Sequence, residues 1–301
     1  MFRLLSLASL LTAFSCAALA EEPRQLDPER LKQFREKLGD PEKLKELREK
    51  LGKGRGTGDV SDLKTMTWKV GDVTREALVY VPPSNGKKHP LVFAWHGHGG
   101  KMAFSAKQFA FHQHWPEAIC VYPQGLPTAV PKIDPEGKMP GWQKYIGDQQ
   151  DRDLAFFDAM LKTLKAEHAV DAKRIYSAGH SNGGYFSYVL WPARGDALAA
   201  VAPVAACLSV RDVKLQKPLP VLHVAGEKDP LVSFASQERT MEQIRKINGC
   251  DPTGKPAGPN CTEYSSRNGP PVVTFIHSGA HNIPKGAPER IVQFFKEHAQ
   301  P

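Results

Sequence analysis

The stretch RIYSAGHSNGGYFSY, residues 174–188, contains the pattern Gly-x-Ser-x-Gly at positions 179–183. The apolar, β-prone residues before this pattern predict a strand, and the apolar residues after it recur at helical spacing and predict a helix. The glycines at positions 179, 183 and 184 allow a tight turn and a close approach of the helix to the strand. A strand, a sharp turn and a helix in this order would hold the Ser181 hydroxyl above a sheet, where it could act as a nucleophile.

Strand-like and helical segments alternate on both sides of this turn. TMTWKV and REALVYVPP predict an antiparallel pair, and further strands are predicted at PLVFAWHG, AICVYPQG, RIYSAG, LAAVAPVAA, LPVLHVAG and PVVTFIHSG. Helices are predicted at residues 153–167, after Ser181, at residues 237–247 and at residues 288–298. Strands that alternate with helices predict an α/β domain with a largely parallel sheet.

A serine nucleophile requires a base, an acid that orients the base, and N–H donors for the oxyanion. Asp229 follows the strand LPVLHVAG and His281 follows the strand PVVTFIH, so both lie downstream of Ser181 in the order serine, acid, histidine. Glu227 is the reserve candidate for the acid. The competing interpretations are a turn residue before Pro230 for Asp229, and a structural histidine for His281.

The loop HGHGG, residues 96–100, follows the strand PLVFAWHG and is the candidate oxyanion loop. The predicted donors are the backbone N–H of Asn182, next to the nucleophile, and the backbone N–H of His98. The two histidines of the loop could instead bind zinc, but no carboxylate or cysteine stands near them in the sequence. We therefore predict no metal, and the expected chemistry requires no cofactor.

Residues 126–150 form a long segment rich in proline and glycine, which we expect to overhang the site. Trp142 and Tyr145 within it are the candidates for stacking on an aromatic or sugar group of a substrate. Packing of these two rings against their own loop is an equally good interpretation.

The first 20 residues combine Arg3, an apolar run and small residues before Glu21, and predict a secretory signal peptide cleaved after Ala20. The apolar run is shorter than the roughly 20 residues that a membrane-spanning helix needs. Lipoprotein anchoring at Cys16 is less favoured, because Phe14 stands where a small residue is expected. We therefore predict a secreted or periplasmic protein without stable membrane insertion.

Residues 27–52 contain two consecutive copies of a charged repeat, DPERLKQFREKLG and DPEKLKELREKLG. Each copy begins with Asp-Pro and ends with Leu-Gly, which are signals for the start and the end of a helix. We predict a charged helical repeat and linker at residues 21–60, a candidate docking site for a partner, and a catalytic domain at residues 61–301. The formal net charge is +8, but the basic residues are dispersed, so no nucleic-acid partner is predicted.

Four cysteines follow the predicted signal peptide. An even number of cysteines in an exported protein is compatible with disulfides, and Cys250 and Cys261 flank a loop rich in proline, glycine and asparagine. We predict a disulfide between these two residues. Cys120 and Cys207 lie in apolar strand-like segments and are predicted to be buried thiols.

The motifs HGHGG, VYPQG, DRDLAFFDAML, RIYSAGHSNGG, AAVAPVAA, AGEKDPLV and GAHNIP together resemble the secreted polyhydroxybutyrate depolymerase and feruloyl or acetyl-xylan esterase group of the α/β-hydrolase fold. The resemblance covers about residues 66–298. It implies a carboxylic ester hydrolase with Ser181, Asp229 and His281 as its triad, His98 and Asn182 as oxyanion donors, and an ester substrate, polymeric or small. A non-catalytic binding protein and a serine peptidase of the same fold are the alternatives.

The chain departs from this group at two positions. Members of the group commonly carry a cysteine where this chain has His98, and a tryptophan where it has Asn282 and Ile283. A backbone donor tolerates the first change. The second removes an aromatic residue expected to line the cleft, so the resemblance does not specify the substrate.

Overall fold

The apolar segments that the sequence marks as strands all belong to one ten-stranded sheet in a computed structural model of the chain, which describes residues 58–130, 133–209, 211 and 217–301. The predicted signal peptide with Cys16 and the repeat at residues 27–52 lie outside the described residues. All described residues belong to one unit, Leu51–Pro301.

The sheet has the strand order β1-β2-β4-β3-β7-β8-β9-β12-β11-β10. The six strands from β4 to β12 in this order pair in parallel, and the pairs at both ends are antiparallel. Strands β5 and β6 form a separate short pair. The strands are β1 (Lys64–Val70), β2 (Val73–Tyr80), β3 (His89–Trp95), β4 (Ile119–Pro123), β5 (Leu126–Pro127), β6 (Pro140–Gly141), β7 (Val170–His180), β8 (Ala200–Val204), β9 (Val221–Gly226), β10 (Lys255–Pro256), β11 (Cys261–Tyr264) and β12 (Val272–His277).

Helices lie in the connections from β3 to β4, from β4 to β7, from β7 to β8 and from β9 to β12. The helices are α1 (Met102–Phe109), α2 (Phe111–His114), α3 (Arg152–Glu167), α4 (Asn182–Arg194), α5 (Phe234–Ile247) and α6 (Ala287–Glu297), with short 3₁₀ turns at Asp148–Asp151 and Gly195–Ala197. The fold class and the antiparallel pair β1–β2 are confirmed. Helices α1 and α2 and the short strands β5, β6, β10 and β11 were not predicted.

The two faces of the sheet carry separate hydrophobic cores because side chains alternate along each strand. In β3, Leu91, Phe93 and Trp95 face one core, and Val92 and Ala94 face the other. Helices α3, α4 and α5 cover the first face, and α1, α2 and α6 cover the second. The result is a three-layer arrangement with the carboxyl ends of the parallel strands at one edge.

The predicted disulfide between Cys250 and Cys261 is wrong, because both residues are free thiols in the structure. Cys250 packs against the core on the first face of the sheet, whereas Cys261, the first residue of β11, belongs to the core on the second face. A disulfide requires Cα atoms within about 7 Å and side chains that point towards each other. Two thiols on opposite faces of a sheet do not meet this requirement.

Cys120 is a fully buried thiol, as predicted, and Cys207 is half-buried. Among the described helices, none combines the length and the apolar character needed to cross a membrane.

Candidate active site

Ser181 lies between strand β7 and helix α4, at the carboxyl edge of the sheet. Its backbone has φ 55° and ψ −120°, a conformation that non-glycine residues seldom adopt and that costs free energy. The Ser181 N–H donates to the carbonyl of Val204 over 2.8 Å, and the Ser181 carbonyl accepts the N–H of Tyr185 over 2.9 Å. The surrounding structure therefore holds Ser181 in a strained turn typical of a nucleophile.

Glycines around Ser181 are required because the helix and the strands approach so closely. A Cβ atom at Gly179 would collide with the backbone of Gly183, and a Cβ atom at Gly183 would collide with the carbonyl of Trp95. Any side chain at these positions would push α4 away from the sheet. The Gly-x-Ser-x-Gly pattern therefore serves packing as well as the conformation of the turn.

The loop after β3 lies directly against the candidate nucleophile, since a Cβ atom on Gly97 would lie 3.3 Å from Ser181 Cβ. His96 holds this loop in place. Its Nε2 accepts the N–H of Gly125 over 2.9 Å, so the proton is on Nδ1, which donates to the carbonyl of Gly97 over 2.7 Å. Burial lowers the pKa of His96 to about 4, and the imidazole is therefore neutral at pH 7.

The two predicted oxyanion residues use their side chains to hold one segment, residues 133–142. His98 Nε2 lies 3.2 Å from Asp134 Oδ2. Asn182 Oδ1 accepts the N–H of Trp142 over 2.7 Å, and Asn182 Nδ2 donates to the carbonyl of Trp142 over 3.0 Å. Gly141 fits between them, because a Cβ atom there would lie 2.8 Å from both His98 Nδ1 and Asn182 Oδ1. The side chains are anchors, and the oxyanion prediction concerns only the backbone N–H groups.

The HGHGG loop could bind zinc only if its two histidines converged with further ligands. Contrary to the expectation from the sequence, a carboxylate does lie beside this loop, because Asp134 contacts His98. The two histidines do not converge, since both nitrogens of His96 bond to the backbone and to neighbouring amides. Within the described part of the chain, no cluster of three or more histidine, cysteine or acidic side chains could hold a metal ion.

His281 and Asp229 form a buried hydrogen-bonded pair. His281 Nδ1 lies 2.8 Å from Asp229 Oδ2, and both side chains are almost fully buried. Asp229 Oδ1 accepts the backbone N–H groups of Leu231 and Val232, each over 2.8 Å. Burial alone would raise the pKa of Asp229, but the hydrogen bond and charge of His281 and the two N–H donors outweigh it and lower the pKa. The carboxylate is therefore ionised and can orient the imidazole.

His180 brings His281 to the turn that carries Ser181. The rings of His180 and His281 pack with their centroids 4.8 Å apart. Burial, and after it the charge that His281 carries when protonated, lower the pKa of His180 to about 3. Among the described residues, no hydrogen bond joins Ser181 Oγ to His281. Such bonds are often long in free enzymes and tighten when substrate binds.

Trp142 does not fit the substrate-stacking role considered for it, because it is fully buried. Its ring stacks on Phe186 and packs edge-on against Trp95, and its Nε1 donates to the carbonyl of His96 over 2.9 Å. It is a core residue that ties residues 133–142 to the candidate oxyanion loop. Tyr145 is half-buried, and the guanidinium of Arg211 lies over its ring at 4.1 Å from the centroid.

Sequence reasoning missed Gln237, which contacts Asp229. Gln237 Nε2 donates to Asp229 Oδ2 over 3.2 Å and to the carbonyl of Val232 over 2.8 Å. A signal was present in the sequence, because the buried residues of α5 follow the helical spacing 237, 240, 241 and 244. Gln237 and Thr240 are polar side chains on a buried helical face, and such side chains indicate that a buried polar group nearby needs hydrogen-bond partners.

The chain is similar in sequence to several fungal esterases. It is 26% identical over 234 residues to feruloyl esterase D of Neurospora crassa, a match that covers 73% of this chain and 78% of that protein. It is 29% identical over 247 residues to feruloyl esterase C of Emericella nidulans, covering 77% and 87% respectively. A 25% identical match over 182 residues covers 58% of this chain and 24% of a bifunctional acetylxylan esterase/xylanase of Neocallimastix patriciarum. No family model matches the chain.

Similar solved structures include a thermostable esterase, with a TM-score of 0.58, 16% identity and coverage of 80% of this chain and 64% of that one. The acetyl xylan esterase from Aspergillus awamori has a TM-score of 0.57 at 12% identity, and the match covers 77% of this chain and 99% of that one. These structures establish the architecture. The chain has the α/β-hydrolase fold and is related in sequence to the feruloyl and acetylxylan esterases.

Proposed function

We propose that this chain is a carboxylic ester hydrolase that acts through Ser181, His281 and Asp229. Ester hydrolysis is the activity named in its relatives, the feruloyl and acetylxylan esterases. The observation that carries the assignment of residues is the buried 2.8 Å contact of His281 Nδ1 with Asp229 Oδ2, beside the strained turn of Ser181. A turn residue before a proline, the competing interpretation of Asp229, would not need this partner.

In the proposed reaction, Ser181 Oγ attacks the ester carbonyl while His281 Nε2 accepts the serine proton. Asp229 holds Nδ1–H of His281, so that Nε2 is the nitrogen available as the base. The imidazolium then protonates the leaving alcohol, and an acyl-enzyme remains on Ser181. Water, activated by the same histidine, hydrolyses the acyl-enzyme and restores the serine.

The developing oxyanion would be stabilised by the backbone N–H groups of Asn182 and His98. Asn182 is the first residue of α4, where the helix provides no acceptor for its own N–H and the helix dipole favours negative charge. The contact of Gly97 with Ser181 supports a position for the second donor on the same side of the carbonyl.

The ester substrates that we propose are feruloyl or acetyl esters, with polyhydroxyalkanoate as a further substrate of the same chemistry. The named activities of the relatives support the first two. The resemblance of the sequence motifs supports the third. Residues 61–301 would be the catalytic domain, exported after cleavage behind Ala20, and the repeat at residues 27–52 would dock a partner.

The test is the initial rate of p-nitrophenyl butyrate hydrolysis by the protein lacking residues 1–20 and by its Ser181→Ala variant. We expect at least a 10³-fold loss of kcat in the variant, with an unchanged circular dichroism spectrum, because the nucleophile is removed. Equal rates would contradict the role of Ser181. No hydrolysis by either protein, of this ester or of methyl ferulate, would favour a non-catalytic binding protein. Cleavage of amides instead of esters would favour a peptidase.

A further inference from the structure

Three buried polar side chains, those of Gln237, His223 and Tyr188, form a hydrogen-bonded series from Asp229 into the interior of the domain. Gln237 Nε2 lies 3.2 Å from Asp229 Oδ2, and Gln237 Oε1 lies 3.3 Å from His223 Nε2. His223 Nδ1 lies 2.5 Å from the hydroxyl oxygen of Tyr188. Gln237 and His223 are fully buried, and Tyr188 is 1% exposed. The three residues come from different elements, α5, β9 and α4.

The chemistry of the carboxylate determines the direction of every hydrogen bond in this series. Ionised Asp229 can only accept, so the amide of Gln237 must present Nε2 to it and Oε1 to His223. His223 must then donate from Nε2, which leaves Nδ1 as an acceptor. Tyr188 therefore donates its hydroxyl proton to Nδ1. One consistent pattern of donors runs from Tyr188 to the carboxylate.

The protonation states of these groups agree with this pattern. Burial lowers the pKa of His223 to about 4, although its hydrogen bond with Gln237 acts in the opposite direction. Burial raises the pKa of Tyr188 well above its usual value. At neutral pH, His223 is therefore uncharged and Tyr188 keeps the proton that it donates.

The hydrogen-bonded series Tyr188–His223–Gln237 completes the set of partners around Asp229. Oδ1 is held by the N–H groups of Leu231 and Val232, and Oδ2 is held by His281 and Gln237. The second N–H of Gln237 donates to the carbonyl of Val232, which fixes the same turn from its other side. Without Gln237, only His281 would define the position of Oδ2.

We propose that Gln237, His223 and Tyr188 are positioning residues that hold the Asp229 carboxylate in the orientation that keeps the Nδ1 proton on His281. The inference rests on the proposed function for its effect on catalysis. It goes beyond that function because it assigns to three residues outside the triad a measurable part in the rate and its pH dependence.

The hydrogen bond from Gln237 stabilises the charged form of Asp229, so its loss should raise the pKa of the acid. A carboxylate with fewer donors attracts a proton on the imidazole more strongly. The other titratable groups that interact electrostatically with Asp229 are His281, which also contacts it, and His180, His277, Tyr185 and Cys207. None of these interactions is removed with Gln237, so the acid limb of the activity profile should move to higher pH when Gln237 is replaced.

The experiment compares Gln237→Leu with Asn248→Leu in the full chain. Asn248 is a matched control, because it is a buried amide at the carboxyl end of α5 that bonds Leu219 and does not contact the triad. We expect Gln237→Leu to lower kcat for p-nitrophenyl butyrate roughly tenfold to 100-fold, with KM changed less than about twofold, and to shift the acid limb upward. The control should be less stable but keep the kcat and pH profile of the wild type. A Gln237→Leu profile identical to that of the control would overturn the proposal.

A second measurement does not depend on esterase activity. The ¹⁵N chemical shifts of His223, assigned with a His223→Gln variant, should show the neutral tautomer protonated at Nε2, and Tyr188→Phe should perturb it. A tautomer protonated at Nδ1, or no response to Tyr188→Phe, would overturn the proposed series. If the wild type does not hydrolyse esters at all, the proposed function fails, and these spectra still decide the arrangement behind Asp229.

Discussion

The acid side of the candidate site and its oxyanion side are built in different ways. On the acid side, the proposed functional atoms belong to the side chains of Asp229 and His281, and Asp229 is held in turn by the side chain of Gln237. On the oxyanion side, the proposed functional atoms are backbone N–H groups, and the side chains of His98 and Asn182 anchor residues 133–142 instead.

This difference predicts different responses to substitution. A change of side chain on the acid side removes a functional group, or turns a hydrogen-bond acceptor into a donor. A change on the oxyanion side keeps the N–H donor and alters only its position, so the effect should be smaller.

Asp229→Asn should lower kcat for p-nitrophenyl butyrate by about 10⁴-fold. The N–H groups of Leu231 and Val232 would select the amide oxygen, so the NH₂ group would face His281 Nδ1 and donate to it. His281 would then carry its proton on Nε2 and could not accept the proton of Ser181. Steady-state kinetics at pH 7 to 9, with thermal unfolding as the control for folding, measure the effect. A loss below tenfold would show that Asp229 is not the acid of the site, and Glu227→Gln would then be examined.

Acidification should lower the free energy of unfolding, because each side of the site contains a buried neutral histidine. These are His223 on the acid side and His96 on the oxyanion side. Their pKa values are lowered to about 4 in the folded protein, against about 6.5 in an unfolded chain. The unfolded state therefore binds more protons between these pH values, and stability is fully present above pH 6.5 and falls as the pH drops towards 4. From pH 7 to pH 5 the loss is about 2 kcal/mol for each histidine.

Urea unfolding at pH 7 and pH 5 measures this loss. His223→Gln and His96→Gln should each reduce the difference between the two pH values by about 2 kcal/mol, whatever their stability at pH 7. A variant that keeps the whole acid-dependent loss would show that its histidine is already protonated or solvated in the folded state.

Asn182→Ala should lower kcat by about tenfold, far less than Asp229→Asn, because the backbone N–H of residue 182 remains. Stability should fall by about 2 kcal/mol, since two hydrogen bonds to buried Trp142 are lost. Asn248→Ala is the matched control, because Asn248 bonds both the N–H and the carbonyl of Leu219 in the same way.

Asn182→Ala and Asn248→Ala should be similarly destabilised in urea, but only Asn182→Ala should lose kcat. A 10³-fold loss in Asn182→Ala would erase the contrast between the two sides. Such a result would mean that the position of residues 133–142 is as important to turnover as the triad acid.

The alternation of strands and helices made an α/β domain with a largely parallel sheet predictable, because each parallel strand is a short apolar run and each helix has a buried stripe. The α/β-hydrolase fold itself was implied by the resemblance of the motifs. The chain order of Ser181, Asp229 and His281 was readable for a related reason. Each residue follows a strand directly, and the carboxyl ends of parallel strands meet at one edge of the sheet. The prediction that these residues form a catalytic triad still awaits the kinetic tests above.

The predicted disulfide between Cys250 and Cys261 and the substrate-stacking role considered for Trp142 were wrong. Both predictions depended on the direction in which a side chain points. The two cysteines are close along the chain but pack on opposite faces of the sheet. Trp142 lies in a segment that looks like an exposed loop, yet Asn182 and the core under α4 bury it. Composition indicates that a loop is present and says little about which of its residues turn inward.

The fold class, the sharp turn at Ser181 and the order of the candidate catalytic residues are readable from the sequence, since they depend on local periodicity and on glycine at positions without room for a side chain. Other features arise only when the chain folds: Asp134 meets His98, the cysteines lie apart, and Tyr188, His223 and Gln237 line up behind Asp229. Those contacts join residues far apart in the chain. Their hydrogen bonds depend on side-chain directions that are set only when the helices pack on the sheet.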